Sequence, residues 1–253
     1  RERIAYLERR LPDTLRRAGC LISDSEFIRQ EIITLLGVAP QRVRTIPLGV
    51  DPVFHPRSTP ELQPVLDRYR LAGLPYLLVV ATLEPRKNLA RMVAAYTRLP
   101  AALRRRHPLA LAGAPGWLSA DLERAIEPLE RAGQARRLGY VPQSDLPLLY
   151  AGAFAFAYPS LYEGFGLPVL EALASGVPTL SSDRASLPEV AGAAALYVDP
   201  EDVDHLSVGL ERLLTDDPWR AAAVTAGLLQ ARRFSWERCV DQTVAAYRAA
   251  LDG

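Results

Sequence analysis

Short apolar runs alternate with longer amphipathic stretches from residue 75 onward. The apolar runs predict buried strands at 76–81, 109–112, 137–141, 153–158, 179–181 and 195–198. Several of them lack polar alternation, as expected when helices cover both faces of a sheet. The stretches between and after them predict helices at 87–99, 119–132, 144–151, 167–175, 203–215, 218–231 and 235–251. The predicted fold class is α/β, with a Rossmann-like parallel sheet and helices on both faces.

The first 50 residues follow a different pattern. An arginine-rich amphipathic helix precedes one predicted strand at 19–22, and Ser23-Asp-Ser-Glu26 has the form of a capping box that begins a helix ending near Gly37. A single strand cannot form a sheet. We therefore interpret 1–50 as the end of another domain with its linker, 51–232 as the main domain and 233–253 as a closing helix. Alternatively, the strand extends the edge of the main sheet.

Composition narrows the function classes. The chain has 253 residues, of which 49% are hydrophobic, and a formal net charge of +1. With so small a net charge, the chain has no overall electrostatic attraction for nucleic acid or for an anionic membrane surface. Cys20 and Cys239 match no metal-ligand spacing, which favours a reducing, cytoplasmic compartment. Residues 1–17 lack the apolar core of a signal peptide. The charge-free run at 146–162 is short for a membrane-spanning helix and is broken by prolines and a glycine. The three histidines form no evident metal or catalytic set.

The stretch ATLEPRKN, at 81–88, contains the only lysine and the only asparagine of the chain, whereas 29 residues are arginine. Chance adjacency is one explanation. Lysine, however, is a compact charge on a flexible stem, so a crowded anion site can require Lys87 where the guanidinium fork would not fit. A solvated helix start is the alternative for Arg86 and Lys87, but two cations in a first turn oppose the helix dipole.

A second stretch, YPSLYEGFGLPVLEALASG at 158–176, runs from the end of a buried strand through a glycine-broken loop into a helix. Glu163 lies in the loop and Glu171 in the helix. Pro168 suits the first helical turn and Gly176 the helix exit. Surface helix charge is the alternative for both glutamates, and it is more plausible for Glu171 taken alone.

The start of that helix predicts an anion site. Phe165, Gly166 and Leu167 would present free backbone N–H groups there, which is where phosphates commonly bind. The carboxyl edge of a parallel sheet is also where ligands of open α/β folds bind. No metal ion or cofactor is indicated.

Six motifs in order carry a family resemblance: IPLGVD at 46–51, TLEPRKN, LGYVPQSDL at 138–146, EGFGLPVLEALASG with Glu163-x7-Glu171, SLPEVAG at 186–192 and FSWER at 234–238. Together they resemble glycosyltransferase family 4, also called glycosyl transferases group 1. These are retaining, nucleotide-sugar-dependent enzymes of the GT-B fold. The resemblance covers essentially the whole chain, which looks like the C-terminal, donor-binding half with a remnant of the N-terminal domain.

The resemblance implies specific roles for the charged residues. Glu171 resembles the carboxylate that binds the donor ribose, and Glu163 the one that holds hydroxyls of the transferred sugar. Arg86 and Lys87 resemble the cations that bind the diphosphate, together with backbone N–H groups near Gly166 and Leu167. The implied catalytic residues are Lys87, Arg86 and Glu163.

Two further positions complete the implied site. Val141 resembles the backbone contact to the nucleobase. Ala81-Thr82 replaces the glycine and arginine usual at the end of the first strand. Arg86 would then have to replace that arginine, since Thr82 offers only a hydroxyl.

The resemblance implies transfer of a sugar from a nucleotide-diphosphate sugar to a saccharide or lipid-linked acceptor, in the cytoplasm or at the inner membrane face. The TLEPRKN and SLPEVAG variants resemble branches in which mannosyl transfer is common. A partner chain carrying the N-terminal domain, or self-association, would complete the enzyme. The surface of this chain that would dock the missing half is expected to be apolar and to comprise Tyr6, Leu7, Leu11, Phe27, Trp236 and Tyr247.

Two other functions stay open at this point. The chain could be a nucleotide-sugar-binding module, or an inactive truncated subunit, without turnover of its own. A dinucleotide-dependent oxidoreductase is less well supported, because no Gly-x-Gly-x-x-Gly follows a predicted strand.

Overall fold

The computed structural model describes residues 2–82, 84–113 and 120–251. The chain divides into two compact units, Arg1–Gly49 with Phe234–Gly253, and Val50–Arg233. Each unit is built around its own parallel sheet. No described helix has the length and apolarity that a membrane span requires.

The N-terminal elements form a small α/β unit. They are α1 (Glu2–Arg17), β1 (Leu21–Ser23), α2 (Glu26–Leu36) and β2 (Val43–Thr45). β1 pairs in parallel with β2, a strand that the sequence did not predict because it is three residues long with an arginine in the middle. The alternative that β1 extends the main sheet is wrong, since β1 and β2 form a separate two-stranded sheet.

The cap of α2 differs from the predicted one. Ser23 belongs to β1, so the capping box that was expected to begin at Ser23 does not form. Ser25 is the capping residue instead, and its Oγ accepts a hydrogen bond from the Ile28 amide at 3.2 Å. Gly37 ends the helix in the left-handed region, at φ 64°, as the sequence predicted.

The main sheet lies in Val50–Arg233 and has six parallel strands in the order β5-β4-β3-β6-β7-β8. The strands are β3 (Leu77–Val80), β4 (Leu109–Ala112), β5 (Ala135–Gly139), β6 (Ala155–Tyr158), β7 (Thr179–Ser182) and β8 (Ala195–Val198). All six were predicted, but β5 begins two residues earlier than expected. The start of β5 was not recognised because it contains the polar residues Arg136 and Arg137, which a strand at the edge of the sheet can accommodate.

Helices cover both faces of this sheet. They are α3 (Thr59–Arg68), α4 (Leu89–Arg98), α5 (Ala101–Arg106), α6 (Ala120–Arg131), α7 (Leu146–Ala151), α8 (Leu167–Ala174), α9 (Leu187–Ala191), α10 (Val203–Thr215) and α11 (Asp217–Ala231), and the closing helix α12 (Trp236–Leu251) belongs to the first unit. The predicted α/β class is confirmed. α3, α5 and α9 were not predicted; α3 contains Pro64 in its interior, and the other two are only five or six residues long.

The core explains the apolar runs. Leu77, Leu109 and Ala155 on three adjacent strands are fully buried, and α4, α6 and α10 pack Met92, Ile126 and Leu210 into the same cluster. Burial on both faces removes any need for alternation in the central strands. Asp145, in the LGYVPQSDL motif, is a buried structural carboxylate, which accepts hydrogen bonds from Arg68 at 2.6 Å and Tyr69 at 3.0 Å and so ties α3 to α7.

Candidate functional site

The strand order reverses between β3 and β6. β3 leads by a crossover to β4 on one side, whereas β6 leads to β7 on the other. Ladder pairs join Leu77 to Ala155 and Leu78 to Phe156, near the amino ends of the two strands. In an open α/β sheet, the crevice at the carboxyl ends of such a pair is the expected ligand site. The loops that follow β3 and β6 carry Arg86, Lys87 and Glu163.

The two cations and Glu163 form one cluster. Lys87 Nζ donates to Glu163 Oε1 at 2.7 Å, and Arg86 Nη1 donates to Glu163 Oε2 at 2.7 Å. A short 3₁₀ turn, Pro85–Lys87, carries both residues immediately before α4. Both pair with Glu163, so a purely solvated helix start does not describe them, although Arg86 remains exposed. The Lys87 side chain is only 10% exposed.

Two hydroxyls complete the surroundings of Glu163. Tyr158 OH donates to Oε1 at 2.9 Å, and Ser160 Oγ donates to Oε1 at 2.6 Å. Burial alone would raise the pKa of Glu163, but hydrogen bonds from Lys87 and Ser160 and the charges of Lys87 and Arg86 outweigh it and hold the pKa below its usual value. Glu163 is therefore a firmly ionised carboxylate that already has four donors.

Asn88 locks the loop that carries the cations. Its backbone is left-handed, at φ 60°, a region that asparagine tolerates better than most residues. The buried side chain donates through Nδ2 to the carbonyl of Pro159 at 3.1 Å and to that of Pro200 at 2.6 Å. Asn88 thus connects the loops that follow β3, β6 and β8. Its place beside Lys87 has a structural reason and is not a chance adjacency.

The loop from Glu163 into α8 is shaped by two features. Ser186 Oγ donates to the carbonyls of Glu163 at 2.9 Å and Phe165 at 2.6 Å. Gly166 has φ 122°, and a Cβ there would lie 2.7 Å from Leu187 Cδ2, so only glycine fits. α8 then begins at Leu167, and within the described chain the amides of Gly166 and Leu167 donate to no backbone carbonyl.

Glu171 lies apart from the cation cluster, on α8. It is half-buried, and burial raises the pKa of its carboxyl to about 7. Tyr150 OH opposes this rise, and the negative charge of Asp51 adds to it. The Tyr150 hydroxyl is buried near this carboxylate but makes no hydrogen bond of normal geometry with any described residue. A carboxyl with a pKa of about 7 and a buried tyrosine hydroxyl thus lie side by side.

A cavity of about 260 Å³ opens beside the cluster. Lys87, Thr82 and Val141 line it, so three of the predicted site residues face one space. Gly113 lines it too, and a Cβ there would lie 1.8 Å from the Ala81 carbonyl oxygen. The hydroxyl of Thr82 donates a hydrogen bond to the Glu84 carboxylate at 3.1 Å.

Two tyrosines of the site were missed from the sequence. Tyr158 and Tyr140 both line the cavity, and Tyr140 is 73% exposed. Tyr158 ends an apolar strand, where nothing in the pattern separates a core tyrosine from a polar one. Tyr140 follows Gly139 directly, and an exposed aromatic next to the predicted nucleobase contact at Val141 was an available signal.

Together, the doubly wound sheet and the crevice at its reversal point, with Lys87 in the cavity wall and Arg86 nearby, define an α/β domain with a candidate ligand site at the carboxyl edge of the sheet. Comparison with known proteins makes the assignment specific. The model of the family described as "Glycosyl transferases group 1" matches residues 70–229. The chain belongs to this family, and its sheet is that of the GT-B fold.

Relatives and solved structures agree with this assignment. The chain is 46% identical to O-antigen chain mannosyltransferase B of Escherichia coli over 98% of its own length and 65% of that protein. It is 35% identical to the serotype-specific mannosyltransferase WbdA of Escherichia coli, over 87% of the chain and 27% of that protein. Among solved structures, Anabaena HepE in complex with UDP and glucose matches 93% of the chain and 64% of that protein, with a TM-score of 0.82 and 19% identity. The chain therefore spans less than two thirds of these proteins.

Proposed function

We propose that this chain is the donor-binding half of a retaining glycosyltransferase, which transfers a mannosyl residue from a nucleotide-diphosphate sugar to a saccharide or lipid-linked acceptor. The observation that carries the proposal is the pair of cations, Arg86 and Lys87, held by Glu163 at the carboxyl edge of the sheet beside an open cavity.

The proposed chemistry follows from where charge develops. Departure of a nucleotide diphosphate leaves negative charge on its oxygens, and preorganised donors aimed there lower the barrier. Lys87, Arg86 and the amides of Gly166 and Leu167 are such donors. Because they are fixed before the donor binds, little reorganisation is needed as charge develops.

The remaining residues would bind the rest of the donor. Glu171, with a pKa near 7, is suited to accept hydrogen bonds from ribose hydroxyls when ionised. Val141 would offer its backbone to the nucleobase, and Phe165, buried at the loop, supports the turn that presents the amides. Thr82 lies in the cavity with a hydroxyl already engaged by Glu84 and would contribute only weakly to phosphate binding.

The surroundings of Glu163 support retention without a protein nucleophile. A nucleophilic carboxylate needs a free oxygen, but Glu163 accepts from Lys87, Arg86, Tyr158 and Ser160. We propose instead that the acceptor attacks from the face that the diphosphate leaves, and that a phosphate oxygen accepts the proton of the acceptor. Glu163 then keeps the cations in place and contacts hydroxyls of the sugar.

The choice of sugar and acceptor rests on the relatives. Two curated relatives are named mannosyltransferases, and the 46% identity to one of them covers nearly the whole chain. We propose that Arg1–Gly49 with Phe234–Gly253 belongs to an acceptor-binding domain, which a further segment or partner chain completes, or which self-associates. Of the residues predicted to dock, Tyr6, Leu11, Trp236 and Tyr247 are exposed, Phe27 is half-buried and the side chain of Leu7 lies outside the described part. A cytoplasmic or inner-membrane-face location is part of this proposal.

Calorimetric titration with a panel of nucleoside diphosphates and their sugars tests the proposal. We expect selective binding of one nucleotide, lost in the double variant Arg86→Ala/Lys87→Ala. Arg98→Ala is the matched control, because Arg98 is also paired with a carboxylate, Asp204, but lies at the far end of α4. Binding that survives the double variant, or a folded protein that binds no nucleotide, would falsify the proposed donor site. Binding without any sugar transfer by the complete protein would favour a nucleotide-sugar-binding module.

A further inference from the structure

The last residue of β6, Tyr158, lies between the two opposite charges of the site. Lys87 Nζ donates to Tyr158 OH at 2.6 Å, and Tyr158 OH donates to Glu163 Oε1 at 2.9 Å. The direct bond from Lys87 Nζ to Oε1, at 2.7 Å, closes a triangle. The hydroxyl accepts from the cation and donates to the anion, so it satisfies both at once.

The ring of Tyr158 cannot turn away from this position. Tyr158 is 1% exposed, and its ring stacks on Phe156 with centroids 5.9 Å apart. Lys87 Nζ also lies 5.1 Å from the ring centroid. The position of the hydroxyl is therefore set by core packing and not by the ligand.

These three hydrogen bonds determine how many N–H donors of the Lys87 ammonium remain for a ligand. An ammonium carries three N–H donors, and Tyr158 and Glu163 take two of them. Among described residues, Lys87 has no other hydrogen-bond partner, and it lines the cavity. Without the hydroxyl, two donors would be free and the flexible lysine stem could swing toward Glu163.

We propose that Tyr158 is a positioning residue of the donor site, whose hydroxyl aims the third N–H of Lys87 at the leaving oxygens of the nucleotide diphosphate. This inference rests on the proposed function. Tyr158 acts through Lys87 and takes no part in bond making, so its contribution exists only while Lys87 is present.

Tyr158→Phe tests the proposal because it removes the hydroxyl and keeps the ring. In the complete protein we expect kcat to fall about 10- to 100-fold, as for loss of a hydrogen bond to a charged group, with donor affinity changed less than about threefold. In a Lys87→Ala background the same change should have no further effect on kcat. A purely structural hydroxyl would lower stability without this dependence on Lys87.

Tyr76→Phe is the matched control. Tyr76 is equally buried, and its hydroxyl donates to the Leu149 carbonyl at 2.5 Å, away from the cation cluster. We expect Tyr76→Phe to leave kcat unchanged even if it lowers thermal stability.

Lys87 also supplies a direct signal, because it is the only lysine of this chain. In protein labelled with ¹⁵N-lysine, the ammonium signal that disappears in Lys87→Ala is that of Lys87. We expect it to be sharp in the wild type and in Tyr76→Phe, and to be broadened by exchange with water in Tyr158→Phe.

The outcomes separate the two proposals. Unchanged kcat in Tyr158→Phe, an equal loss in the Lys87→Ala background, or a variant that fails to fold overturns the positioning role alone. A wild-type protein that binds no nucleotide overturns the proposed function instead.

Discussion

The loop that carries Glu163 and the helix that carries Glu171 follow the same strand, yet they surround the same type of side chain with different partners. Glu163 receives two cations and two hydroxyls, and its pKa is lowered. Glu171 has no cation among its described partners and lies near Asp51 and Tyr150, so that burial raises its pKa to about 7. Burial opposes ionisation at both positions. Hydrogen-bond donors and nearby charges together decide which carboxylate stays ionised, because Glu163 has two cations beside it and Glu171 has the negative charge of Asp51.

The difference assigns different tasks to the two carboxylates. A carboxylate that stays ionised can hold cations in place through a reaction cycle. A carboxylate with a pKa near neutral pH can change its protonation state when a ligand offers hydroxyl donors. Substitutions at or beside each of the two glutamates test this difference.

The largest effect is expected where Glu163 loses its main partner. Lys87→Ala should lower turnover about 10²- to 10³-fold, because it removes a preorganised donor from the leaving oxygens. Nucleotide affinity should fall less, since Arg86 and the α8 amides remain. Steady-state kinetics and calorimetry measure the two quantities, with Arg98→Ala as the control for lost charge. Equal losses in both would contradict the leaving-group role.

Glu163→Gln should separate binding from transfer. Removing the negative charge frees Arg86 and Lys87 for the diphosphate, so affinity for the nucleoside diphosphate should rise several-fold. Transfer should fall by roughly 10²-fold, because the cations lose the carboxylate that holds them in place. Weaker binding of the sugar-free nucleotide in this variant would show that Glu163 does not compete with it.

Glu171→Ala should act mainly on binding. Loss of a charged hydrogen bond to hydroxyls costs about 1.5–3 kcal/mol, which corresponds to roughly 10- to 150-fold in the dissociation constant. Turnover at saturating donor should change little. Titration of the variant with the preferred nucleotide and with its 2′-deoxy analogue checks the assignment, because the variant should no longer distinguish the two. Unchanged affinity would reject the ribose role.

The smallest expected effect is a pH dependence that belongs to Glu171. Ribose hydroxyls donate to the ionised carboxylate, so affinity should rise about tenfold between pH 6 and pH 8 and a proton should be released on binding. Glu171→Gln should remove this component and leave the titration of the phosphate itself, which makes it the control. An identical pH profile in both proteins would contradict the raised pKa.

The same group affects stability with a defined sign. Its pKa in the folded protein is above its usual value of 4.5, so the folded state holds the proton more tightly. The favourable contribution is complete below about pH 4.5 and is lost as the pH rises through about 7. Glu163, with a lowered pKa, contributes in the opposite sense and loses its contribution only in acid.

The sequence predicted the elements that hydrophobic burial determines. The buried strands β3, β4 and β6 were recognised because central strands are apolar throughout, and β5 was displaced because edge strands tolerate arginine. α3 was not predicted. It contains prolines at positions 60 and 64, a residue type that disfavours helix interiors, but the first of them lies in the opening turn, where its absent N–H costs nothing.

The site was less accessible from sequence. The pairing of Arg86 and Lys87 with Glu163 follows from the strand order, which no local pattern encodes. The hydroxyl of Tyr158 and the opposite pKa shifts of the two glutamates depend on distances across the crevice. The family resemblance implied that these residues share one donor site, but it did not indicate that Arg86 and Lys87 would bond to Glu163.

The buried amide of Asn88 has a further consequence for the lifetime of the protein. Asparagine is the residue most prone to spontaneous deamidation, and this chain has a single one, with both amide hydrogens held by the carbonyls of Pro159 and Pro200. Conversion to aspartate would set a negative charge against two carbonyl oxygens beside Lys87. Deamidation of asparagine in this chain is thus limited to one position, where the hydrogen bonds of the folded protein oppose it.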